Sequence, residues 1–169
     1  MNRIARFSKV SFSQFLSAYK DDFGGDDEQI RAIYESIDLP KRATAGSAGY
    51  DFYTPVAIHL EPGQTVKIPT GIRAEMNSDW VLMIFPRSGL GFKYRLQLNN
   101  TVGVIDSDYC NSDNEGHIFI KITNDSKEGK TVDVPAGGGF AQGIFLPYGI
   151  TEDDDTTDER NGGFGSTGR

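Results

Sequence analysis

A carboxylate and an arginine stand beside apolar runs of this sequence, at places where strands are expected to end. Pro86-Arg87-Ser88-Gly89 follows such a run, so a guanidinium fork, a hydroxyl and backbone N–H groups would meet there, a set suited to phosphate oxygens. Asp106 directly follows the apolar run 102–105, where partial burial would orient a carboxylate as a general base requires. Taken singly, each stretch is also what an ordinary polar turn looks like.

The last residues carry a third candidate binding segment. Residues 162–168 combine four glycines with two hydroxyls and one aromatic ring, which suits a segment that wraps phosphates and stacks on a base. The segment is not a Walker P-loop, because no Lys-Ser/Thr pair follows the glycines and no strand or helix is expected beside them. Composition alone also fits an unstructured Gly-Ser-Thr end.

Two short helices are expected before the segments that carry this chemistry. Ser11 is the predicted N-cap of one helix, with Gln14 reaching back to it, and Asp26 is the predicted N-cap of a second. The apolar face of the second helix consists of Ile30, Ile33, Tyr34 and Ile37. The loop 23–27 separates the two helices, and we expect the pair to dock on the main domain.

From residue 37 onward, short runs rich in β-branched and aromatic residues replace the helical periodicity. These runs are VAIHL, TVKIPTGIRAEM, WVLMIFP, RLQLNNTVGVID, HIFIKITN, KTVDVP and FAQGIFLPY. The pattern predicts a mostly β domain, either a sandwich or a jelly-roll barrel, between which periodicity does not choose. We therefore divide the chain into a helical extension at 1–36, a β domain at 37–150 and a flexible C-terminal arm at 151–169.

Composition narrows the function classes. The chain has 169 residues, about one domain, and its single cysteine cannot form an internal disulfide, which fits a reducing, cytoplasmic location. A formal net charge of −7 argues against binding of nucleic acid polymers, and no apolar run suggests a membrane span. His59 and His117 lack the spacing of metal ligands, so surface or strand positions are expected for both.

Taken together and in order, the motifs SAGYD, PRSGL with a following Lys, GVIDSDY, AQ and GGFGSTG resemble the trimeric deoxyuridine triphosphate nucleotidohydrolase (dUTPase) family over residues 39–169. The resemblance implies a jelly-roll homotrimer that uses Mg²⁺ to hydrolyse dUTP to dUMP and pyrophosphate. Such an enzyme lowers dUTP and supplies dUMP for thymidylate synthesis. Each of its three active sites would combine parts of different subunits, with the C-terminal arm closing over the nucleotide.

The resemblance also implies roles for single residues. Asp106 would be the base that activates water for attack on the α-phosphorus, and Asp51 would hold Mg²⁺ through bound water. The implied phosphate-binding residues are Arg87, Ser88, Gly89, Gln142, Arg160, Gly165, Ser166 and Thr167. The implied uracil- and deoxyribose-binding residues are Asn100, Gly103, Tyr109, Ile118, Phe119 and Phe164.

The chain departs from the family pattern in three places. After Tyr109 it inserts CNSDNEG, so that Gly116 takes the role of a glycine that usually follows within two residues. Gly139 stands where many relatives carry Arg, which would remove a phosphate-facing or interface charge. Arg160 is one residue closer to the Gly-Gly pair than in the commonest form of the motif.

Two other functions remain open at this point. A dCTP deaminase shares the fold and a similar Arg-Ser stretch but uses a Glu base at the pyrimidine, whereas Tyr109 and the GGFGSTG segment favour the hydrolase. A nucleotide-gated regulatory protein would use the same trimer to bind a partner. In such a protein hydrolysis would be secondary or lost. The intact Asp106 and the complete arm motif weigh against that loss.

Overall fold

The structure, a computed structural model, describes residues 2–158 and residue 160. The strands in this range are β1 (Ala5–Lys9), β2 (Lys41–Arg42), β3 (Tyr50–Tyr53), β4 (Ile58–Leu60), β5 (Thr65–Pro69), β6 (Ile72–Met76), β7 (Trp80–Pro86), β8 (Leu96–Leu98), β9 (Gly103–Ile105), β10 (Phe119–Asn124), β11 (Val132–Val134) and β12 (Gly139–Pro147). The helices are α1 (Phe12–Phe23), α2 (Asp27–Ser36) and α3 (Ser88–Tyr94), and a 3₁₀ turn spans Tyr109–Asn111. The predicted mostly β architecture is confirmed.

The strands pair in antiparallel sheets that form the jelly roll. A five-stranded sheet has the order β2-β3-β12-β7-β9, and a three-stranded sheet has the order β5-β10-β8. Two further pairs, β1-β6 and β4-β11, complete the described strands. The sheets enclose one hydrophobic core, whose fully buried members include Phe52, Ile68, Leu82, Ile120 and Phe140. Burial of these side chains is the main stabilising contribution to the fold.

The two N-terminal helices begin at their predicted caps. The Ser11 hydroxyl accepts a hydrogen bond from the Gln14 N–H at 3.2 Å, and the Asp26 carboxylate accepts from the N–H groups of Glu28 and Gln29. The second half of the predicted capping box differs, since the Ser11 N–H donates to Glu115 Oε2 at 2.7 Å. A residue of the insertion therefore takes the place expected for the Gln14 side chain.

The extension also contains a strand that the sequence did not reveal. β1 pairs with β6 from Ala5↔Met76 to Lys9↔Ile72, although ARFSK has few of the residues that favour strands. The exposed edge of β6 supplies the partner that makes this segment extended. Phe15 and Ile30 are buried members of the common core, so packing is continuous across residue 36, and the boundary placed there stays a prediction.

Two further elements differ from expectation. TVKIPTGIRAEM forms two strands, β5 and β6, because Thr70-Gly71 turns the chain between them with Gly71 at φ +72°, a conformation that glycine adopts without steric cost. The segment after Arg87 forms the short helix α3, although it contains Gly89 and Gly91, which disfavour helix. No helix in the described part of the chain combines the length and apolar character needed to span a bilayer.

The two histidines have opposite environments. His59 lies exposed on β4 as expected, and its hydrogen bond with Asp133 raises its pKa. His117 was expected on the surface or in a strand, but it is buried just before β10. Its Nε2 accepts from the Gly71 N–H at 2.9 Å, and its ring centre lies 4.3 Å from that of Phe119. Burial lowers the pKa of His117 to about 4.

The depressed pKa of His117 predicts a loss of stability in mild acid. His117 takes up a proton near pH 6.5 in the unfolded chain but only near pH 4 in the folded chain. The stability that depends on a neutral His117 is therefore present above pH 6.5 and is lost as the pH falls toward 4. Between pH 7 and pH 5 the free energy of unfolding should decrease by about 2 kcal/mol. Urea unfolding at both pH values and at one protein concentration measures the change.

Variants at the two histidines test this assignment. His117→Gln keeps a hydrogen-bond acceptor but does not titrate, so it should lack most of the decrease. His59→Gln should retain the decrease, because the raised pKa of His59 acts in the opposite direction at an exposed, well-screened site. Equal decreases in the two variants would show that other groups dominate.

Candidate active site

Asp51, Arg87 and Gln142, three residues implied to handle phosphate and metal, meet at one end of the five-stranded sheet. Asp51 on β3 is the register partner of Gln142 on β12, and Gln142 is the register partner of Phe85 on β7. Arg87 follows β7, and its Nε lies 3.2 Å from Asp51 Oδ1. Neighbouring strands are about 5 Å apart, so the sheet places these three side chains within reach of one bound ligand.

Gly139 provides the space that the Arg87 side chain occupies. Arg87 Nη1 lies 3.4 Å from the Gly139 carbonyl oxygen, to which it donates a hydrogen bond. A Cβ atom at position 139 would lie only 2.7 Å from that nitrogen, so any larger residue there would displace the guanidinium. The Arg87 side chain remains 44% exposed. Donors not used by Asp51 and Gly139 therefore face solvent, where an anion can reach them.

Ser88 and Gly89 lie next to this group, in the first turn of α3. The first N–H groups of a helix have no partner within the helix, so those at the start of α3 can donate to a ligand bound there. A cavity of about 610 Å³ lies beside them. Its polar lining consists of Arg87, Ser88 and Gln142, and its apolar lining includes Phe85, Phe92 and Ile144. It is a wide, mostly apolar depression that is open to solvent.

Asp106 follows β9, as predicted, and its side chain is 51% exposed. It forms an ion pair with Arg160 Nη2, while Arg160 Nε donates to Asp108 Oδ1 at 2.8 Å. The same guanidinium lies 5.8 Å from the centre of the Tyr109 ring. Arg160 therefore binds the carboxylates of its own chain in this structure, and its implied phosphate contact stays a prediction.

Tyr109 is fixed by residues of the insertion and of the chain just after it. Its hydroxyl donates to the His117 carbonyl oxygen at 2.8 Å and accepts from Asn114 Nδ2 at 2.8 Å. Burial raises the pKa of this hydroxyl, which stays neutral at physiological pH. The Tyr109 N–H also donates to the Asp106 carbonyl oxygen. The ring is therefore held in a defined position close to the predicted base.

The turn between β8 and β9 contains Asn100 and leads into Gly103, both implied to bind the base. Asn100 is exposed, and its carbonyl oxygen accepts from the Val102 N–H at 2.7 Å. Thr101 has φ +68°, which is unusual for a β-branched residue and is typical of constrained functional turns. A Cβ at Gly103 would lie 3.0 Å from Ile84 Cβ, so the strands approach closely there.

Ile118 and Phe119 follow His117 in the chain, and His117 separates them from the insertion. The Ile118 N–H donates to the Ile72 carbonyl oxygen at 2.9 Å, and the Ile118 carbonyl oxygen accepts from the N–H and the hydroxyl of Thr70. Both main-chain groups of Ile118 are thus engaged within the fold. Phe119 is partly buried at the start of β10. Their roles in base binding stay predictions.

One chain does not bring all the implied site residues together. In the antiparallel pair β7-β9, Ile105 is the register partner of Leu82, so Asp106 lies at the start of β7 whereas Arg87 follows its end. At 3.3 Å per residue the two positions are about 20 Å apart along the sheet. That distance exceeds the length of a triphosphate. Within one chain the sheet therefore holds the backbone of Asp106 far from that of Arg87.

The implied roles of Phe164, Gly165, Ser166 and Thr167 fall outside the described residues and stay predictions. Within the described part, no motif of the sequence points to the contributions of Asn114, Glu115 and His117. The Glu-Gly pair at the end of the insertion is a signal of a left-handed turn. No sequence pattern indicates which distant residue such a turn contacts.

Comparison with known proteins agrees with the motif order. The sequence profile of the dUTPase family matches residues 35–168. A deoxyuridine 5′-triphosphate nucleotidohydrolase from Lactococcus lactis is 43% identical over 135 residues, which is 78% of this chain and 89% of that protein.

Solved structures give the same result. The crystal structure of a dUTPase from Streptococcus mutans is 36% identical, with a TM-score of 0.63 over 86% of this chain and 98% of that one. A mutant dUTPase from phage phi11 of Staphylococcus aureus, 19% identical over 92% of this chain and 98% of its own, shares the fold with a TM-score of 0.63. The chain therefore belongs to the dUTPase family of enzymes, as its motifs predict.

Proposed function

We propose that this protein hydrolyses dUTP to dUMP and pyrophosphate, with Asp106 as the base that activates the attacking water. The observation that carries the proposal is the position of Asp106, a half-exposed carboxylate that directly follows β9 and lies near the fixed ring of Tyr109. The Lactococcus relative is named for this same reaction. The reaction lowers dUTP and supplies dUMP for thymidylate synthesis.

The chemical step follows from the position of the carboxylate. Asp106 accepts a proton from water, the water oxygen bonds to the α-phosphorus, and the bond from that phosphorus to the bridging oxygen breaks to release pyrophosphate. In the free protein Asp106 is paired with Arg160, so the pair must separate first. The phosphate oxygens of a bound triphosphate offer the Arg160 guanidinium charged acceptors in place of the two carboxylates.

The sheet geometry favours a site shared between subunits. Arg87, Ser88, Gly89 and Gln142 of one subunit hold the phosphates, while Asp106 comes from another. The separation of about 20 Å between Asp106 and Arg87 within a chain, from the register of β7 and β9, supports this arrangement. We infer that the protein is a homotrimer with three such sites, in agreement with the family resemblance.

The residues at the phosphate end fit a magnesium ion bound mainly by substrate. Within residues 2–158 and 160 no group of three or more His, Cys, Asp or Glu side chains is placed to hold a metal, but Asp51 offers one carboxylate that is 18% exposed. Mg²⁺ commonly uses one or two carboxylates together with phosphates and water. We infer that Asp51 contacts the ion through water. When bound, the ion offsets charge that develops on the phosphates.

A structural neighbour gives independent support for magnesium. The phage phi11 mutant enzyme is described with a coordinated structural Mg(II) ion. Because that protein is 19% identical, it supports the kind of metal rather than the position of the ion in this chain.

Selectivity is assigned to the turn before β9 and to Tyr109. Asn100 and the main chain near Gly103 pair with the uracil edge, and Phe164 stacks on the ring from the arm. Tyr109 lies beneath the deoxyribose, where a ribose 2′-hydroxyl would meet its fixed ring. The two hydrogen bonds at the Tyr109 hydroxyl support this role, because a ring that cannot move can exclude a larger sugar.

Pyrophosphate release from dUTP, dTTP, dCTP and UTP tests the proposed function. Release from dUTP should be at least about 10²-fold faster than from the other three, because a base slot of hydrogen bonds rejects mismatched partners. Chelation of magnesium by EDTA should stop the reaction, and added Mg²⁺ should restore it. Conversion of dCTP to dUTP without pyrophosphate would instead identify a deaminase. Binding of dUTP without hydrolysis would identify a regulatory protein.

A further inference from the structure

The insertion after Tyr109 binds the N-terminal extension through one side chain. Glu115 Oε2 accepts from the Ser11 N–H at 2.7 Å, and Glu115 Oε1 accepts from the Ser11 hydroxyl at 2.5 Å. Ser11 is the N-cap of α1. Glu115, which lies 104 positions further along the chain, therefore provides the acceptor for the N–H group at the start of this helix. These two bonds also hold the pKa of the Glu115 carboxyl below its usual range.

The backbone at this contact has a constrained conformation. Glu115 has φ +60° and Gly116 has φ +72°, both in the left-handed region that disfavours residues with a side chain. At Gly116 a Cβ would lie 2.6 Å from the Cys110 Cα, so only glycine fits there. Glu115 is held in this conformation by its bonds to Ser11 and by its own N–H, which donates to the Ser112 carbonyl oxygen.

The same turn holds the hydroxyl of Tyr109 from both sides. The Asn114 side chain donates to that hydroxyl, and the His117 carbonyl oxygen accepts from it. Inside the turn the Gly116 N–H donates to Asn114 Oδ1, and the His117 N–H donates to the Asn114 carbonyl oxygen. Glu115 lies between the two residues that orient the ring. Movement of Glu115 would therefore move both partners of Tyr109.

We propose that Glu115 is a positioning residue of the nucleotide site, which uses the start of α1 as its anchor. Bound to Ser11, Glu115 fixes the turn 114–117 and with it the Tyr109 ring that excludes ribose. The N-terminal extension thereby contributes to sugar selectivity without touching the nucleotide. The inference rests on the proposed function, because it takes the contact of Tyr109 with the sugar from it.

Two variants remove the anchor in different ways. Glu115→Gly adopts the left-handed conformation without steric cost but lacks the carboxylate, so a purely structural role of this residue would leave selectivity unchanged. Ser11→Ala removes the hydroxyl that donates to Glu115 and also caps α1, and it keeps the main-chain N–H bond to Glu115. For both variants we expect KM for dUTP to rise about tenfold, kcat to stay within about twofold, and the preference for dUTP over UTP to fall about tenfold. The double variant should be no worse than Glu115→Gly alone.

Arg6→Gln is the matched control. The Arg6 Nε donates to Glu75 Oε2 at 2.9 Å and also ties the extension to the jelly roll, but it does not touch the turn 114–117. This variant should keep the KM and sugar preference of the wild type. Calorimetric titration with dUMP and UMP gives the same comparison without turnover, so it applies even if the wild type fails to hydrolyse dUTP.

The outcomes separate the inference from the proposed function. Absence of dUTP hydrolysis by the wild type overturns the proposed function. An active wild type whose Glu115→Gly and Ser11→Ala variants keep its KM and sugar preference overturns the inference. If Arg6→Gln loses its preference for dUTP over UTP to the same extent, the inference is overturned as well. Loosening the extension at any point would then be enough to reduce the sugar selectivity. If Glu115→Gly does not fold by circular dichroism, Ser11→Ala decides alone.

Discussion

Asp106→Asn is expected to lower the turnover of dUTP by about 10²- to 10⁴-fold while leaving dUTP affinity within a few-fold. Asparagine matches aspartate in shape but cannot accept the proton of the attacking water. It also loses the charge that pairs with Arg160, which eases the release of that side chain to the phosphates. Single-turnover release of pyrophosphate measures the chemical step, and titration with a non-hydrolysable dUTP analogue measures binding.

Asp108→Asn is the matched control for this prediction. Asp108 also pairs with Arg160, and its side chain is 49% exposed, close to the 51% of Asp106. The two variants therefore perturb Arg160 alike and differ in the loss of the base. We expect a much smaller decrease in turnover for Asp108→Asn. Near-normal turnover in Asp106→Asn, or equal decreases in both variants, would remove Asp106 from the role of base.

A second large effect is expected when two inactive variants share one oligomer. Asp106→Asn lacks the base, and Arg87→Ala lacks a phosphate donor whose loss should cost about 10²- to 10³-fold. If each site combines Asp106 of one subunit with Arg87 of another, random assembly of equal amounts leaves one site in four intact. Co-expressed variants should then regain about a quarter of wild-type activity. Pyrophosphate release from the purified mixed oligomers measures it.

Variants from the same end of the sheet provide the control. Asp51 and Arg87 lie 3.2 Å apart within one chain, so Asp51→Asn co-expressed with Arg87→Ala leaves a defect in the phosphate end of every subunit. That mixture should stay as inactive as its parents. If the Asp106→Asn and Arg87→Ala mixture also stays inactive although both chains are present in the same oligomers, each site lies within one chain.

Local signals explain which elements the sequence predicted. α1 and α2 start at Ser11 and Asp26, whose side chains accept from N–H groups two or three residues away, and such contacts depend only on nearby residues. β1 and α3 do not carry such signals. β1 is extended because β6 offers its edge, and α3 forms despite its two glycines. Tertiary context decides both.

The same distinction applies to the candidate site. Motif order identified Asp51, Arg87, Asp106 and Gln142, because each lies in a short, specific stretch. It did not reveal that Arg87 and Asp106 lie at opposite ends of β7, because that follows from strand register. Nor did it reveal the partner of Glu115, since the contact joins positions 104 residues apart. Long-range geometry determines how far apart the identified residues lie within one chain.

The burial of Phe15 and Ile30 has a practical consequence for recombinant work. These side chains from the extension are 0% and 1% exposed, and Phe15 packs near the His117 ring, with ring centres 6.3 Å apart. A protein shortened to start at residue 37, close to where the family profile begins, would have a cavity in its hydrophobic core. Water could then reach the neutral imidazole of His117. The leading segment must be retained by anyone who trims this gene for expression.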